Sequence, residues 1–466
     1  MDKQKHYESK HGSTSSSDTI AAVVTPPGRG AVGIVRLSGP RTRDIAQIML
    51  ENEPEPRIAT FGAFYSRQGV CLDQGLSLFF PKPNSYTGED VLELQGHGGP
   101  VVMDRLLREA IASGARHAEP GEFSRRAFLN DKIDLTQAEA VADLIESASE
   151  EAAHAAIQTL QGKFSQSVHE LTEMLTELRV YIEAALDFPD EEIDDVVAPE
   201  IKARVSELCK SFKDIETKAS QGVQLQEGLK IAIVGRPNAG KSSLLNRLAA
   251  EEIAIVADVP GTTRDVLRQT IYLGGAPIQL IDTAGIRETD DMIEREGVRR
   301  AHAATSEADL ILLVIDQTFD TDWRTQIEEL NKPTQAKLVV VFNKSDLSES
   351  EQDDWSDTPT ICDYESISLS AKTGEHFDQL HSCLRRHLGL VSDAKGVFSA
   401  RRRHLDALIQ AQHCLTRGFE QFITHQASEL FAEELRQAQA LLGIITGEVT
   451  ADDLLGEIFS SFCIGK

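Results

Sequence analysis

Apolar and polar positions alternate with a period near two in the early part of the chain. "DTIAAVVTPPGRGAVGIVRLSG" sets apolar runs around a Pro/Gly turn, and "VCLDQGLSLFF" and "DVLELQGHGG" read as further short strands. Helical patches such as "VVMDRLLREAIASG" follow, so residues 18–131 are expected to form an α+β domain. The period then lengthens. From Thr136, "TQAEAVADLIESASEEAAHAAIQTLQGKFSQSVHELTEMLTELRVYIEAAL" has no proline and apolar residues at helical spacing, with Thr136 and Glu139 placed as a capping box. This predicts a pair of long helices, or one long helix kinked near Gly162. The acidic "DFPDEEIDD" interrupts, and one more helical stretch leads to "LKIAIVG", a buried-type strand. Strands and helices alternate from there to about residue 388, the pattern of a doubly wound α/β domain. Helical text returns in "RRRHLDALIQAQHCLTRGFEQF" and "SELFAEELRQAQALLGIITG". Because domain termini often lie close together, the economical arrangement is an α/β domain, 228–389, inserted into a discontinuous all-α domain, 132–227 and 390–466. Residues 1–17 read as a disordered tail.

Composition narrows the classes. A chain of 466 residues has room for about three domains. The formal net charge of −27 argues against a surface built to coat nucleic acid, because neutralising phosphates takes clustered Lys and Arg. Contact with RNA is expected to be local or delegated to a partner; "RR" at Arg125 and Arg126 and "RRRH" at Arg401 are the candidates. Six dispersed cysteines with no CxxC pair and no zinc spacing imply a reducing cytoplasm and no structural metal. No apolar run reaches the roughly 18 residues needed to span a bilayer, and the first residues lack the apolar core of a secretory signal.

"GRPNAGKSS", Gly235 to Ser243, satisfies the phosphate-binding pattern GxxxxGK[ST] between a strand and a helix. Backbone N–H groups around Asn238, Ala239, Gly240 and Ser243 are expected to cradle phosphates, with Lys241 reaching the β and γ oxygens and Ser242 holding Mg²⁺. "DTAG", Asp282, Thr283, Ala284 and Gly285, follows the apolar "APIQLI", so Asp282 can support the metal and Gly285 can offer its N–H to a γ-phosphate. "NKSD" supplies Asn343, Lys344 and Asp346. A carboxylate there accepts two hydrogens from guanine, which adenine cannot supply together, and this predicts GTP over ATP. "SAK", Ser370, Ala371 and Lys372, fits the remaining base-contact loop. Ile286 stands where small GTPases carry a water-orienting glutamine. Glu288, Asp290, Asp291, Glu294 and Glu296 are the acidic residues nearby, and Arg264 and Arg287 are candidates for an arginine finger.

With these motifs, "TPPGRGAVGIVRLSG", "YTGEDVLELQGHGG", "PGEFSRRAFLNDKIDLTQAEAV", "GTTRD", "DTAGIRE" and the terminal "FCIGK" resemble the MnmE (TrmE) family of bacterial tRNA modification GTPases over nearly the whole chain. The resemblance implies a Ras-like G domain and an N-terminal domain that binds tetrahydrofolate and dimerises. It implies a homodimer working with an FAD-dependent flavoprotein of the MnmG (GidA) kind on carbon 5 of the wobble uridine of certain tRNAs. It also implies K⁺ ligated by Asn238, the backbone of Ala257 and Val259, and Thr262. Asp258, Pro260 and Gly261 would complete the loop around the ion, with Thr263 on Mg²⁺ and Glu294 as the catalytic glutamate. Pro260 stands where a small residue is common in the family. A 5-formyl- or methylene-tetrahydrofolate would be held by Arg36, Glu93, Lys132 and Lys466, with Cys463 a candidate thiol. Without the resemblance, Arg36 and Glu93 read as strand residues, the lysines as exposed side chains and His97 as a loop or cap residue. A ribosome-assembly or regulatory GTPase shares the nucleotide motifs. The final cysteine alone suggests a lipid-anchored switch, but Gly465 and Lys466 fit a prenylation box poorly.

Overall fold

The structure is a computed structural model that describes residues 18–147, 149–187, 197–251, 268–273, 276–282, 308–318, 323–330, 336–347, 360–361, 364–388, 396–448, 452–460, 462–463 and 465. It divides into two compact units. One comprises 1–142, 159–209 and 407–466, and the other 143–158 and 210–406.

The first unit holds a six-stranded sheet of order β3-β4-β5-β2-β1-β6, formed by β1 (Ile20–Val23), β2 (Val32–Ser38), β3 (Thr60–Tyr65), β4 (Cys71–Phe80), β5 (Val91–His97) and β6 (Arg116–His117). Neighbours pair antiparallel except β1 with β6. Alternation sends Val35, Leu37, Leu92 and Leu94 into a core with Ile45 and Met49 of the Thr42–Met49 helix and Leu106 of the Pro100–Ala112 helix. Arg36 and Glu93, of opposite parity, are cross-strand partners on the other face.

A pair of long helices was expected from Thr136; the chain forms helices Leu135–Glu146, Glu150–Leu160 and Lys163–Asp187. The break at Gly162 is present, with φ +84°. An additional break arises because Ser149 Oγ accepts from the Ala152 N–H at 3.0 Å and so caps a new helix. The capping box is displaced from Thr136 and Glu139 as well. Asp134 accepts from the Gln137 N–H and Gln137 Oε1 accepts from the Asp134 N–H, both at 2.9 Å. Both Thr136 and Glu139 are buried. Further along, Arg179 and Thr176 meet Gln439 in the helix Ser428–Thr446.

The terminal helix Asp452–Ser460 places Leu455, Ile458 and Phe459, with Phe462, against Phe128, Leu135, Ala138 and Ala142.

The second unit is a doubly wound sheet of order β12-β13-β11-β10-β7-β9-β8. Its strands are β7 (Leu229–Val234), β8 (Arg268–Leu273), β9 (Ala276–Asp282), β10 (Leu310–Asp316), β11 (Lys337–Asn343), β12 (Thr360–Ile361) and β13 (Tyr364–Ser368). Strands β13, β11, β10, β7 and β9 run parallel, and both faces are covered by apolar clusters, which is why "LILLVID" and "KLVVVFN" are continuously apolar rather than alternating. Where the chain enters and leaves this sheet it is tied to one carboxylate. Asp143 accepts from Gln226, from Ser399, and from Arg401 at 3.2 Å. Arg401, a candidate for RNA contact, is thereby engaged inside its own unit.

Candidate functional site

Strand β7 gives way to Gly235, whose φ is +145° and where a Cβ would lie 2.2 Å from the Val314 carbonyl oxygen, so only glycine lets the loop leave the sheet there. Asn238 also takes a left-handed conformation, φ +64°. Gly240 has φ +99°, and a Cβ on it would fall 2.1 Å from Asn343 Nδ2. The helix Lys241–Glu251 starts immediately after, with Ser242 and Ser243 exposed on its first turn. The first-turn amides and positive dipole end of a helix suit an anion. Lys241 Nζ lies across the loop and donates to the carbonyls of Gly235 and Arg236, both at 2.8 Å. Asp282 ends β9 beside Ile233, one strand over from the loop.

The "NKSD" and "SAK" motifs close on the same loop. Asn343 Nδ2 donates to the Ala239 carbonyl at 2.8 Å, and its Oδ1 accepts from the Ala371 N–H at 2.9 Å. One side chain thus joins the phosphate loop to the "SAK" loop. Ser370 Oγ donates to Asp346 at 2.6 Å, and Lys344, at φ +71°, pairs with Asp316 at 2.5 Å. Burial pushes the Asp316 carboxyl up, but hydrogen bonds from Lys344 and Thr318 outweigh it and hold it below its ordinary value. Arg247, on the helix after the phosphate loop, donates to the carbonyls of Ala371 at 3.0 Å and Lys372 at 3.1 Å. Neither Asp316 nor Arg247 was singled out by sequence; a strand-end carboxylate is the one signal that could have pointed to the former. The structure therefore brings together Asn238, Ala239, Gly240, Lys241, Ser242, Ser243, Asn343, Lys344, Asp346, Ser370, Ala371 and Lys372. Residues Ala257 to Thr263, Thr283 to Gly285, Arg264, Arg287 and Glu294 lie outside the described residues.

A second cluster sits on the sheet of the first unit. Arg36 Nε and Nη2 both reach Glu93 Oε1, at 2.9 and 2.8 Å, while Glu93 Oε2 accepts from Gln95 at 3.4 Å. The Arg36 guanidinium lies 5.7 Å from the Phe123 ring centroid. Tyr86 Oη and Ser124 Oγ share a hydrogen bond of 2.8 Å, and burial raises the phenol above its ordinary value despite that bond and the nearby Arg36 charge. The carbon stem of Lys132 packs beside Gly88, where an added Cβ would lie 3.3 Å from its Cγ. A carboxylate, a guanidinium, a phenol and an aromatic wall suit a flat heterocycle with amine and carbonyl edges. The C-terminal segment is fastened to this unit: the Gly121 N–H donates to the Cys463 carbonyl at 3.3 Å, and Gly465 lies against Val23 and Val24. Cys463 is exposed, and Lys466 lies outside the described residues.

Arg126 is not an RNA contact: it is buried between Glu122 and Glu89, at 3.0 Å from each, and Arg125 meets Glu119 at 3.3 Å. No helix among the described residues is long and apolar enough to cross a membrane.

Comparison with known proteins gives the same picture by an independent route. The family model "GTP-binding protein TrmE N-terminus" matches residues 19–132, and "MnmE helical domain" matches 135–463. The tRNA modification GTPase MnmE of Chromohalobacter salexigens is 52% identical over 456 residues, 96% of this chain and 98% of that protein. That of Proteus mirabilis is 51% identical over 97% of this chain and all of its own length. Among solved structures, the G domain of T. maritima FeoB matches at 24% identity and a TM-score of 0.26, over 34% of this chain and 98% of that one. Identity at this level along nearly the full length, with both family models matching, means that the chain belongs to the MnmE family of tRNA modification GTPases.

Proposed function

We propose that the chain is a K⁺-dependent GTP hydrolase that, with an FAD-dependent flavoprotein, installs an aminomethyl or carboxymethylaminomethyl group at carbon 5 of the wobble uridine of certain tRNAs. The carrying observation is Asn343, which makes the phosphate loop and the guanine loop one rigid receptor. In this reading Lys241 exchanges its Gly235 and Arg236 carbonyls for β and γ oxygens, Ser242 and Thr263 hold Mg²⁺, and Asp346 accepts two guanine hydrogens. K⁺ would be held by Asn238, Ala257, Val259 and Thr262 and would supply positive charge between the phosphates. Glu294 orients the attacking water.

The Arg36, Glu93 and Lys132 cluster, with Lys466, is the proposed seat of a tetrahydrofolate carrying the one-carbon unit, and Cys463 stands near it as a candidate thiol. The proposed division is a folate-binding and dimerising domain over 18–131, a helical domain over 132–227 and 390–466, and a G domain over 228–389. The protein acts as a cytoplasmic homodimer.

Two measurements test this. GTP hydrolysis is expected to fall at least tenfold when K⁺ is replaced by Na⁺, and an unchanged rate overturns the K⁺ mechanism. Mass spectrometry of tRNA nucleosides from a deletion strain is expected to show loss of the modified wobble uridine. Unchanged nucleosides overturn the modification reading in favour of a GTPase of the ribosome-assembly or regulatory kind.

A further inference from the structure

Three side chains of different chemistry converge where β13 meets the helix Phe377–His387. Glu365 stands on the strand, and Cys383 and His387 stand one turn apart on the helix, a spacing that puts both on one helix face. One ligand atom from each, a carboxylate oxygen, the thiol Sγ and a ring nitrogen, lies within 4.8 Å of the other two. His387 Nε2 is 3.2 Å from Glu365 Oε2, while Arg386 Nη1 holds the other oxygen, Oε1, at 3.0 Å. Cys383 is buried, and the side chains of His387 and Glu365 are 14% and 26% exposed.

The donors are those of a zinc centre. Thiolate, imidazole and carboxylate together suit a borderline-soft divalent ion, which takes them in a tetrahedron with donors about 3 to 4 Å apart. The three atoms already stand close to that spacing, so side-chain rotations suffice to complete it. Without an ion the cluster is poorly matched. Burial, with the Glu365 charge and a hydrogen bond to it, pushes the Cys383 thiol up to about 12, so a protonated thiol faces a carboxylate. Burial also lowers the His387 imidazole, outweighing its contact with Glu365 and aided by the Lys337 and Arg386 charges, so the ring is neutral near neutrality and has a lone pair to give. An ion pair at the end of the helix needs only Glu365, Arg386 and His387; the buried Sγ within reach of both partners adds the soft donor that such a pair has no use for. Lys337 and Arg386 oppose a cation. Arg386, however, is 60% exposed and occupies Oε1, so it holds the carboxylate in place and leaves Oε2 to the ion, as hydrogen bonds to ligating carboxylates do.

We propose that Glu365, Cys383 and His387 form a Zn²⁺ site, completed by a water, that staples β13 to the end of the helix Phe377–His387. As the Zn–S bond forms, the thiol proton leaves to solvent. The remaining proton of the neutral His387 ring sits on Nδ1 so that Nε2 can ligate. The strand runs into the "SAK" loop and the helix runs back from it, so the ion ties together the two supports of that loop at their other ends. The site stands apart from the functional reading above, since none of its residues belongs to the nucleotide motifs. Sequence spacing did not announce it because the carboxylate comes from a strand, and only the fold brings it to the C-x3-H pair on the helix.

The test uses the full chain, stripped of nucleotide and metal, and Co²⁺ as a coloured substitute for Zn²⁺. The wild type is expected to show the near-ultraviolet thiolate-to-cobalt band and the strong visible bands of a tetrahedral site, saturating at one equivalent, and added Zn²⁺ is expected to abolish them by displacement. Cys383→Ser is expected to lose the thiolate band. Glu365→Gln and His387→Gln, on two different elements, are expected to weaken Co²⁺ binding at least about tenfold. Cys71→Ser, which removes an exposed thiol, is expected to leave the spectrum unchanged. Melting temperatures of the metal-free variants identify any that fail to fold, and the remaining variants then carry the test. A wild type without the thiolate band, a band that survives Cys383→Ser, or binding unaltered in both Glu365→Gln and His387→Gln each overturn the site.

Discussion

Asp346 lies on the short 3-10 turn Ser345–Leu347, oriented by the Ser370 hydroxyl at 2.6 Å. In the proposed function this carboxylate accepts from guanine N1 and its 2-amino group; an amide would present a donor to one of them. Asp346→Asn is expected to weaken GTP binding about 100-fold, the loss of roughly 3 kcal/mol of charge-assisted hydrogen bonding. Xanthosine triphosphate, whose base carries a carbonyl in place of the amine, is expected to bind the variant better than GTP. Titration with fluorescent nucleotides measures both, and an unaltered preference for GTP removes Asp346 from base recognition. Residues at this site were legible in the sequence where the backbone leaves no alternative: Gly235 and Gly240 are fixed by approaches that a Cβ would block. Arg247 and Asp316 were not, because an arginine in a helix and an aspartate ending a strand acquire their roles only once the "SAK" and "NKSD" loops fold against them. Arg126 misled for the converse reason, since a basic pair in sequence says nothing of the carboxylates that enclose it.

The element that best shows how local sequence is overridden is the helix Glu122–Leu129. Glu122 is almost fully buried, and receives Arg116 at 2.6 Å, Arg126 at 3.0 Å and the Glu119 N–H at 2.8 Å. Burial would raise its pKa; the Arg116 hydrogen bonds, the Glu119 N–H and Arg126 overcome that and depress it from 4.5 to about 2. Because the folded value lies below the unfolded one, the stabilisation is present above pH 4.5 and is lost as pH falls towards 2. Glu122→Gln leaves two guanidiniums short of a partner and is expected to cost about 3 kcal/mol at pH 7. Melting temperatures across that range are expected to fall with pH in the wild type and to stay flatter in the variant; parallel curves would place the acid sensitivity elsewhere. Capping gave a smaller lesson. Both Asp134 with Gln137 and Thr136 with Glu139 satisfy the spacing of a box, and the choice falls to Asp134 because the apolar register buries Thr136 and Glu139. The sequence pattern located the helix to within about a turn and left its first residue to packing.

Over the whole molecule, the insertion of an α/β domain between helical halves was legible because period and composition change at its borders. Contacts between distant segments were not, since nothing in "PGEF" announces that Gly121 will meet Cys463 or that a Cβ there would strike the Phe459 carbonyl at 2.5 Å. The terminal helix is as much core as appendage: Phe459 is buried, with ring centroids 6.3 Å from Phe128 and 5.4 Å from Phe462. Phe459→Ala is expected to destabilise the unit by about 3 to 5 kcal/mol, whereas deleting residues 463–466 is expected to leave its melting temperature nearly unchanged. Calorimetry on the two variants separates anchoring from chemistry, and an equal loss of stability in both would assign a structural role to the last four residues.

Asn343 has a consequence for nucleotide discrimination as a whole. Because a single amide spans the Ala239 carbonyl and the Ala371 N–H, the proposed function has the two ends of a bound nucleotide read by one stiff caliper and not by two independent sensors. Affinity for guanosine and affinity for triphosphate therefore do not add up to affinity for GTP. The surplus is the benefit of having both jaws held at the correct opening before the ligand arrives, and a fault at either jaw is felt at the other.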